Sequence, residues 1–233
     1  MFLTLPIRDV TRATPRARLV RIDLNGASFP YRAGQALRIA SHARERRRTY
    51  SIASAPEDAE REKCLELLIG VDAEGRAGPD LALEPQALVD IEGPLGQFTF
   101  PEHPEQRRFL FIAGGTGIAP LRAMMRHALH LRPGQIGVFY SARTPEEFAF
   151  QDELRDLAHD GRIELRQTIT RDPDNALWTG PRGRIGRDDL APLVHDPATL
   201  CFICGPPALV DDIPKLLGEL DVPQSRIRIE EWG

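Results

Sequence analysis

The most informative stretch of the chain is Gly114-Gly115-Thr116-Gly117, which follows the apolar run 109–113 and precedes Pro120. The apolar run predicts a buried strand, and the residues after the glycines predict a helix whose first turn tolerates Pro120. Glycines let a backbone approach a ligand closely, and a helix N-terminus offers free N–H groups and a positive dipole to a phosphate. The stretch departs from the common dinucleotide fingerprint, because Pro120 stands where the last glycine would be. It predicts a nucleotide-binding turn, with a ligand-free strand-to-helix turn as the alternative.

A second group of chemically capable side chains lies in the first half of the chain, in Arg48-Thr49-Tyr50-Ser51. A guanidinium can bind a diphosphate through paired hydrogen bonds, a tyrosine ring can stack on a flat heterocycle, and a hydroxyl can bond a ring nitrogen. Because side chains alternate along a strand, Arg48 and Tyr50 are expected on one face and Ser51 on the other, unless the strand bends. An ordinary edge strand is the alternative interpretation.

The elements that must position these residues fall into two halves with different patterns. Short alternating runs separated by turn residues predict antiparallel strands at 17–24, 35–40, 49–53, 64–71 and 88–92, with a short helix near 79–83. Continuous apolar runs that alternate with helical segments predict parallel strands at 109–113, 135–142, 162–170, 200–204 and 227–230, with helices at 117–131, 145–159 and 206–220. We therefore expect two domains, an antiparallel barrel or sandwich at 1–103 and an α/β parallel-sheet domain at 104–233.

Composition and charge exclude several classes of protein. The formal net charge of −4 argues against nucleic-acid binding, which needs clustered positive charge. The N-terminus has no basic segment followed by an apolar core, and no apolar run is long enough to cross a bilayer, so we expect a cytoplasmic protein without membrane association. Cys64, Cys201 and Cys204 are too few for an iron–sulfur cluster, and strand alternation would separate Cys201 from Cys204. We expect no metal site and no redox disulfide.

Several segments, in the same order along nearly the whole chain, resemble the ferredoxin–NADP reductase superfamily. They are Phe29-Pro30-Tyr31-Arg32-Ala33-Gly34-Gln35, Arg48-Thr49-Tyr50-Ser51, Gly93-Pro94-Leu95-Gly96-Gln97-Phe98, the stretch from Gly114 to Pro120, Tyr140-Ser141-Ala142-Arg143 and Cys204-Gly205-Pro206-Pro207. The resemblance implies a flavin-binding antiparallel β-barrel domain followed by an α/β parallel-sheet domain that binds NAD(P). It also implies an NAD(P)H-dependent reductase without an iron–sulfur domain of its own, which passes hydride from nicotinamide to flavin N5 and then electrons to a separate carrier.

The resemblance also implies roles for individual residues. Arg48 would hold the flavin phosphate, Tyr50 would pack on the isoalloxazine, and Ser51 would reach N5. Thr116 would lie close to the nicotinamide, and Cys204 would line its pocket. The cofactor-binding residues implied in this way are Arg48, Thr49, Tyr50, Ser51, Gly78, Gly114, Gly115, Thr116, Gly117, Arg143, Arg171, Arg184, Gly205, Pro206 and Trp232, and the catalytic residues are Ser51, Thr116, Cys204 and Glu230.

Two further segments bear on the flavin. Glu230 and Trp232 resemble the terminal glutamate and aromatic residue of the family, which implies that Glu230 lies near the flavin and that the Trp232 ring covers it. A frayed terminus with an incidental tryptophan is the alternative. The segment 75–81 lacks the serine or threonine that the family places at the flavin diphosphate, which leaves the backbone N–H groups near Gly78 for that role. We expect FAD, and FMN stays open.

Arginines that follow the predicted strands of the second half bear on the choice of nucleotide. Arg143, Arg171 and Arg184 occupy positions that resemble those binding the 2′-phosphate in NADPH-using relatives, and arginine is the usual partner of that phosphate. Glu146 and Glu147 lie close to Arg143 in the sequence and could neutralise it. We favour NADPH over NADH, with NADH as the alternative.

A basic run in the first half bears on the electron acceptor. Arg44, Arg46 and Arg47 precede Arg48 and could dock an acidic ferredoxin, flavodoxin or oxygenase component by complementary charge. A solvated loop is the alternative. Two other functions stay open, a direct reductase of free flavin or a small molecule and a non-catalytic nucleotide-binding subunit. The presence of Arg48, Tyr50, Ser51 and Thr116 argues against the last of these, whereas the weak diphosphate segment at Gly78 supports it.

Overall fold

The computed structural model describes residues 1–131, 134–172, 177–194 and 196–231. These residues form two compact units. The first unit comprises Met1–Phe100 together with Arg122–His127, and the second comprises Pro101–Leu121 and the described residues from Ala128 onward. Two units with different sheets confirm the predicted two-domain fold class. The ranges 1–103 and 104–233, as the extents of a flavin-binding and a nucleotide-binding domain, stay a prediction.

The first unit is an antiparallel barrel of six strands. In chain order these are β1 (Phe2–Thr14), β2 (Ala17–Asp23), β3 (Ala36–Ser41), β4 (Arg48–Ser51), β5 (Cys64–Gly70) and β6 (Leu88–Leu95), with one helix, α1 (Pro56–Glu62). The strands are hydrogen-bonded in the order β4-β3-β6-β1-β2-β5. A bridge between Ile52 and Leu67 joins the residues after β4 to β5, so the two ends of the sheet meet. Closure leaves the barrel without open edges there and confirms the predicted antiparallel architecture.

Strand β1 and helix α1 were not predicted from the sequence, and the structure gives a physical reason for each. Pro6 stands inside β1 and argues against a strand, but it lies where the pairing of β1 changes from β6 to β2, a point that tolerates a missing N–H. Pro56 occupies the first turn of α1, where its missing N–H costs nothing, and Lys63 ends that helix in the left-handed conformation with φ 56°.

The short helix predicted near 79–83 is wrong. Residues 79 and 80 form a turn, and the backbone groups that a helix would use are bonded to the end of β3 instead. The carbonyl of Asp80 accepts a bond from the N–H of Ser41 at 2.9 Å, and the N–H of Ala82 donates to Ser41 Oγ at 2.8 Å. Long-range bonds of this kind cannot be seen in a local pattern.

The second unit contains a parallel sheet of five strands. They are β7 (Arg108–Gly114), β8 (Gln135–Ala142), β9 (Glu164–Ile169), β10 (Leu200–Gly205) and β11 (Ile227–Glu231). The helices are α2 (Ile118–His130), of which residues 122–127 are counted with the first unit, α3 (Gln151–His159), α4 (Arg187–Leu190) and α5 (Pro207–Gly218). The sheet order is β11-β10-β7-β8-β9, with every neighbouring pair parallel. This confirms the predicted α/β parallel-sheet domain.

Two helical details of this unit differ from the expectation. The helix predicted at 145–159 is interrupted, because a short 3-10 turn at Pro145–Glu147 is followed by an extended Phe148 and a left-handed Phe150 before α3 begins. The short helix α4 was not predicted. Among the described residues, no helix combines the length and the apolar composition that crossing a bilayer requires.

Candidate functional site

The glycine-rich stretch lies at the centre of the parallel sheet. Strand β7 ends at Gly114, a single 3-10 turn spans Gly115–Gly117, and α2 begins at Ile118. From β7 the chain passes to β8 and β9 on one side and returns to β10 on the other, so β7 and β10 flank the point where the direction of winding reverses. Open α/β sheets bind ligands at the carboxyl ends of the strands beside this reversal. The glycine turn occupies that position.

The glycines of this turn serve packing as well as backbone conformation. A Cβ atom on Gly117 would collide with the carbonyl oxygen of Cys204, and one on Gly114 would lie 2.8 Å from Cδ of Pro206. Larger residues would push the turn away from the end of β10. Gly115 has the left-handed φ of 55° with open space around its Cβ position, and Thr116 is exposed. The structure therefore brings the turn together with Cys204-Gly205-Pro206 and leaves Gly115 and Thr116 accessible.

Tyr140 is a residue of this region to which the sequence analysis gave no role. Its hydroxyl donates to the carbonyl of Gly115 at 3.0 Å and accepts a bond from the N–H of Ala149 at 3.2 Å. The residue is completely buried, and burial raises the pKa of the phenol far above its ordinary value, so the hydroxyl stays protonated. A tyrosine inside an apolar strand is indistinguishable from a core residue until its partners are known.

Strand register brings together two of the predicted catalytic residues. Cys204 on β10 is paired with Ala113 on β7 and with Glu230 on β11. Cys204 is fully buried, whereas Glu230 is half-buried. Trp232, which the resemblance placed over the flavin, lies outside the described residues.

The cysteine pair inside β10 does not form a bond. Among the described residues no disulfide is present, and burial raises the pKa of the Cys201 thiol to about 12. The Cys201 thiol donates weakly to the carbonyl of Thr199 at 3.8 Å. Thiolate chemistry at Cys201 is therefore suppressed near neutral pH.

Arg48 and Gly78, predicted from separate segments, lie in direct contact in the first unit. The Nη1 of Arg48 donates to the carbonyl of Ala77 at 2.9 Å. Gly78 has a φ of 108°, and a Cβ atom there would come within 2.9 Å of the guanidinium. Only glycine satisfies both the conformation and the contact. Arg48 and Thr49 are exposed, and the half-buried Tyr50 packs against the core of the barrel.

Ser51 has an unusual environment. It is the last residue of β4, it is paired with Ala36 on β3, and it is 4% exposed. Its Oγ is buried and has no hydrogen-bond partner among the described residues. A buried hydroxyl without a partner costs about 1–3 kcal/mol, so such groups in native proteins usually bind a ligand or an ordered water.

The predicted arginines of the second unit divide into a pair and a separate residue. Arg143 and Arg171 follow the neighbouring strands β8 and β9, and the N–H of Arg171 donates to the carbonyl of Arg143 at 2.9 Å. Arg184 follows Gly183, whose N–H bonds Ile169 at 2.8 Å. The exposed guanidinium of Arg184 lies 3.8 Å from Asp212 Oδ2. All three therefore lie at the carboxyl edge of the sheet, on the same edge as the glycine turn.

The basic run before β4 is only partly available at the surface. Arg44 and Arg46 are exposed. The guanidinium of Arg47, by contrast, lies over the ring of Phe2 at 5.0 Å and is 4.0 Å from the buried Asp90. The run therefore offers two exposed cations and not the three that the sequence suggested.

A buried ionic cluster in the first unit was not predicted. We call it the Glu66 cluster. The Nη1 of Arg122 donates to Glu66 Oε2 at 2.7 Å and to the carbonyl of Ala53 at 2.8 Å, and the Nε of Arg21 donates to Glu66 Oε1 at 2.8 Å. Burial raises the pKa of Glu66, but the two arginines lower it more, so that it lies below its ordinary value. The carboxylate is therefore ionised at neutral pH.

The Glu66 cluster braces the corner that follows Ser51. Ile52 bonds back to Gln35, whereas the N–H of Ala53 bonds across to Glu66 at 2.7 Å, so the chain changes partner strand between these residues. Arg122 bonds both sides of that corner, through the carbonyl of Ala53 and the side chain of Glu66. Among the described residues, no group of acidic, histidine and cysteine side chains has the arrangement of a metal site.

Comparison with known proteins covers both units. Residues 111–215 match the oxidoreductase NAD-binding domain family. Ferredoxin–NADP reductase B of Sorangium cellulosum (strain So ce56) is 34% identical over 221 residues, which cover 89% of this chain and 88% of the relative. The structure of the Amycolatopsis cytochrome P450 reductase GcoB is similar with a TM-score of 0.81 and 25% identity, covering 99% of this chain and 69% of the other. The ferredoxin reductase in carbazole 1,9a-dioxygenase gives a TM-score of 0.81 and 25% identity over 100% of this chain and 70% of its own.

Proposed function

The chain belongs to the ferredoxin–NADP reductase superfamily and is an NAD(P)H-dependent flavoprotein reductase, and from this premise we propose its substrates, cofactor and partner. In this proposal the protein would bind FAD and NADPH so that hydride can pass to flavin N5, and the electrons would go to a separate protein carrier. The observation that carries the proposal is the hydroxyl of Ser51, at the end of the strand that also bears Arg48, which is buried and has no hydrogen-bond partner in the part of the chain that the structure describes.

The residues of the barrel fit a flavin. A bound flavin accepts a hydride and releases electrons one at a time, chemistry that no side chain supplies. Ser51 Oγ, which has no hydrogen-bond partner among the described residues, would gain one by bonding the flavin at N5. Arg48, which contacts Gly78, would bind one phosphate group of the flavin cofactor. The backbone N–H groups near Gly78 would bind a second phosphate group. Two phosphate sites in one place favour FAD over FMN.

The glycine turn and the end of β10 would bind the reduced nucleotide. Gly115 and Thr116 are accessible at the carboxyl edge of β7, where a phosphate would meet free N–H groups and the N-terminus of α2. Cys204, which is fully buried, would line the nicotinamide pocket as a packing residue, with Glu230 beside it in register. Arg143 and Arg171 would bind the 2′-phosphate, which favours NADPH over NADH.

The electron acceptor would be an acidic protein. Arg44 and Arg46 are exposed near the beginning of β4 and would attract an acidic ferredoxin, flavodoxin or oxygenase component. The names of the relatives support a partner of this class, since they include a ferredoxin–NADP reductase and a reductase that belongs to a cytochrome P450.

The first experiment is an anaerobic visible spectrum of the purified protein before and after addition of NADPH or NADH. We expect a flavin spectrum that bleaches faster and at lower concentration with NADPH. Extraction and chromatography of the chromophore distinguishes FAD from FMN. A protein that stays colourless after incubation with both flavins would contradict the proposal, and one that loses flavin readily but reduces it in solution would favour the free-flavin reductase.

A further inference from the structure

Both hydrogen bonds of the Tyr140 hydroxyl are made with backbone groups that lie outside the strands, at and near the glycine turn. It donates to the carbonyl of Gly115 and accepts from the N–H of Ala149, at 3.0 and 3.2 Å. Neither bond belongs to the ladder of β8, and a phenylalanine would fill the same space in the core. The hydroxyl therefore contributes bonds that hold two loops and not bonds that build the strand.

The Gly115 carbonyl is saturated in this arrangement. It accepts the N–H of Ile118 at the start of α2 in addition to the Tyr140 hydroxyl. A carbonyl oxygen has two lone pairs, so both are occupied. Gly115 itself has the left-handed φ of 55°, a conformation that glycine enters and leaves easily. A second bond from a completely buried side chain limits that freedom where the turn meets solvent.

The Tyr140 ring is in turn held by an aromatic stack. Phe148 meets it edge to face with the ring centroids 5.0 Å apart and an angle of 75°. Trp178 stacks on Phe148 at 5.4 Å, and its Nε1 donates to the carbonyl of Pro181 at 2.9 Å. We call these three rings the aromatic column. It leads from the glycine turn to Pro181, three residues before Arg184.

We propose that Tyr140 is a positioning residue for the nucleotide: its hydroxyl, fixed by the aromatic column, holds the Gly115 turn in the shape that binds the nucleotide. The inference rests on the proposed binding of NAD(P)H at this turn. A preformed turn loses little freedom when the ligand binds, whereas a turn released from Tyr140 must be ordered by the ligand itself. The hydroxyl thus contributes to affinity without touching the nucleotide.

The test is Tyr140→Phe, with Tyr31→Phe as the matched control. Tyr31 is a mostly buried tyrosine of the first unit, and its hydroxyl donates to the carbonyl of Ser54 at 2.8 Å. Stopped-flow reduction of the bound flavin by NADPH measures the nucleotide Kd and the limiting rate separately. We expect Tyr140→Phe to raise the Kd about three- to tenfold, the effect of one lost hydrogen bond. We expect the Tyr31 variant to keep the wild-type Kd.

Thermal unfolding of both variants separates positioning from stability. A lower Tm with an unchanged Kd would overturn the proposal, because Tyr140 would then be a core residue only. If Tyr140→Phe does not fold, the deciding variant is Phe148→Leu, because it removes the ring that packs on Tyr140 and keeps the Tyr140 hydroxyl. An unchanged nucleotide Kd in that variant would also overturn the proposal. Failure of the wild-type protein to bleach with either nucleotide would contradict the proposed function itself, so the two failures are distinguishable.

Discussion

Replacing Glu66 by glutamine tests the Glu66 cluster with a minimal change of shape. The side chains of Glu66 and Arg122 are 7% and 8% exposed, and removing one partner of a buried ion pair costs about 3–5 kcal/mol. In the Glu66→Gln variant, water can solvate the guanidinium of Arg21, which is 36% exposed, and Arg122 keeps its hydrogen bond to the carbonyl of Ala53. We therefore expect Glu66→Gln to lose about 3 kcal/mol, which lowers the Tm by about 6–12 °C.

The loss should depend on pH with a definite sign. The pKa of Glu66 is depressed in the folded protein relative to its ordinary value, so its stabilising contribution is complete above that value and disappears as the pH falls through the folded pKa. The difference in Tm between wild type and Glu66→Gln should be full at neutral pH. It should shrink on acidification below about pH 4, as the wild-type carboxylate is protonated.

The assay is thermal unfolding followed by circular dichroism and by flavin release, at neutral and acidic pH. Glu60→Gln is the matched control, because Glu60 is exposed on α1, and we expect it to change stability by less than about 0.5 kcal/mol. A double replacement of Glu66 and Arg122 by methionine should be less harmful than either single change. If Glu66→Gln and Glu60→Gln have the same Tm, the ion pair does not stabilise the corner after Ser51.

Three further predictions test the proposed roles of single side chains. Ser51→Ala should retain flavin and slow its reduction by about fivefold, in stopped-flow experiments, through loss of one hydrogen bond; an unchanged rate would remove Ser51 from the reaction. Arg171→Ala should raise the KM for NADPH by about tenfold or more, with little change for NADH, because a charged bond to a phosphate is lost; equal effects would mean that the phosphate binds elsewhere. Exchanging Arg44 and Arg46 for glutamine should raise the KM for an acidic carrier at low salt and weaken its dependence on ionic strength. Reduction of a neutral quinone is the control that should stay unaffected.

The sequence alone determined the two-domain architecture and the strand–glycine turn–helix of the site. The alternating runs of the first half and the continuous apolar runs of the second half follow from which faces of each strand are buried, and this pattern is local. The strand–glycine turn–helix at 109–120 was predictable for the same reason, because its conformation is set by neighbouring residues. Local patterns were less reliable where distant atoms took the backbone bonds, as at 79–83, where Ser41 bonds the residues expected to form a helix.

Only the tertiary structure decided which polar groups are paired. Glu66 and Arg122 are 56 residues apart, Arg48 and Ala77 are 29 apart, and Tyr140 and Gly115 are 25 apart. Ser51 differs from an ordinary strand serine because folding buries its hydroxyl and, within the described ranges of the chain, brings no hydrogen-bond partner to it. Burial and hydrogen bonding depend on the surroundings that the whole chain creates, so residue type and spacing can nominate such groups but cannot assign their partners.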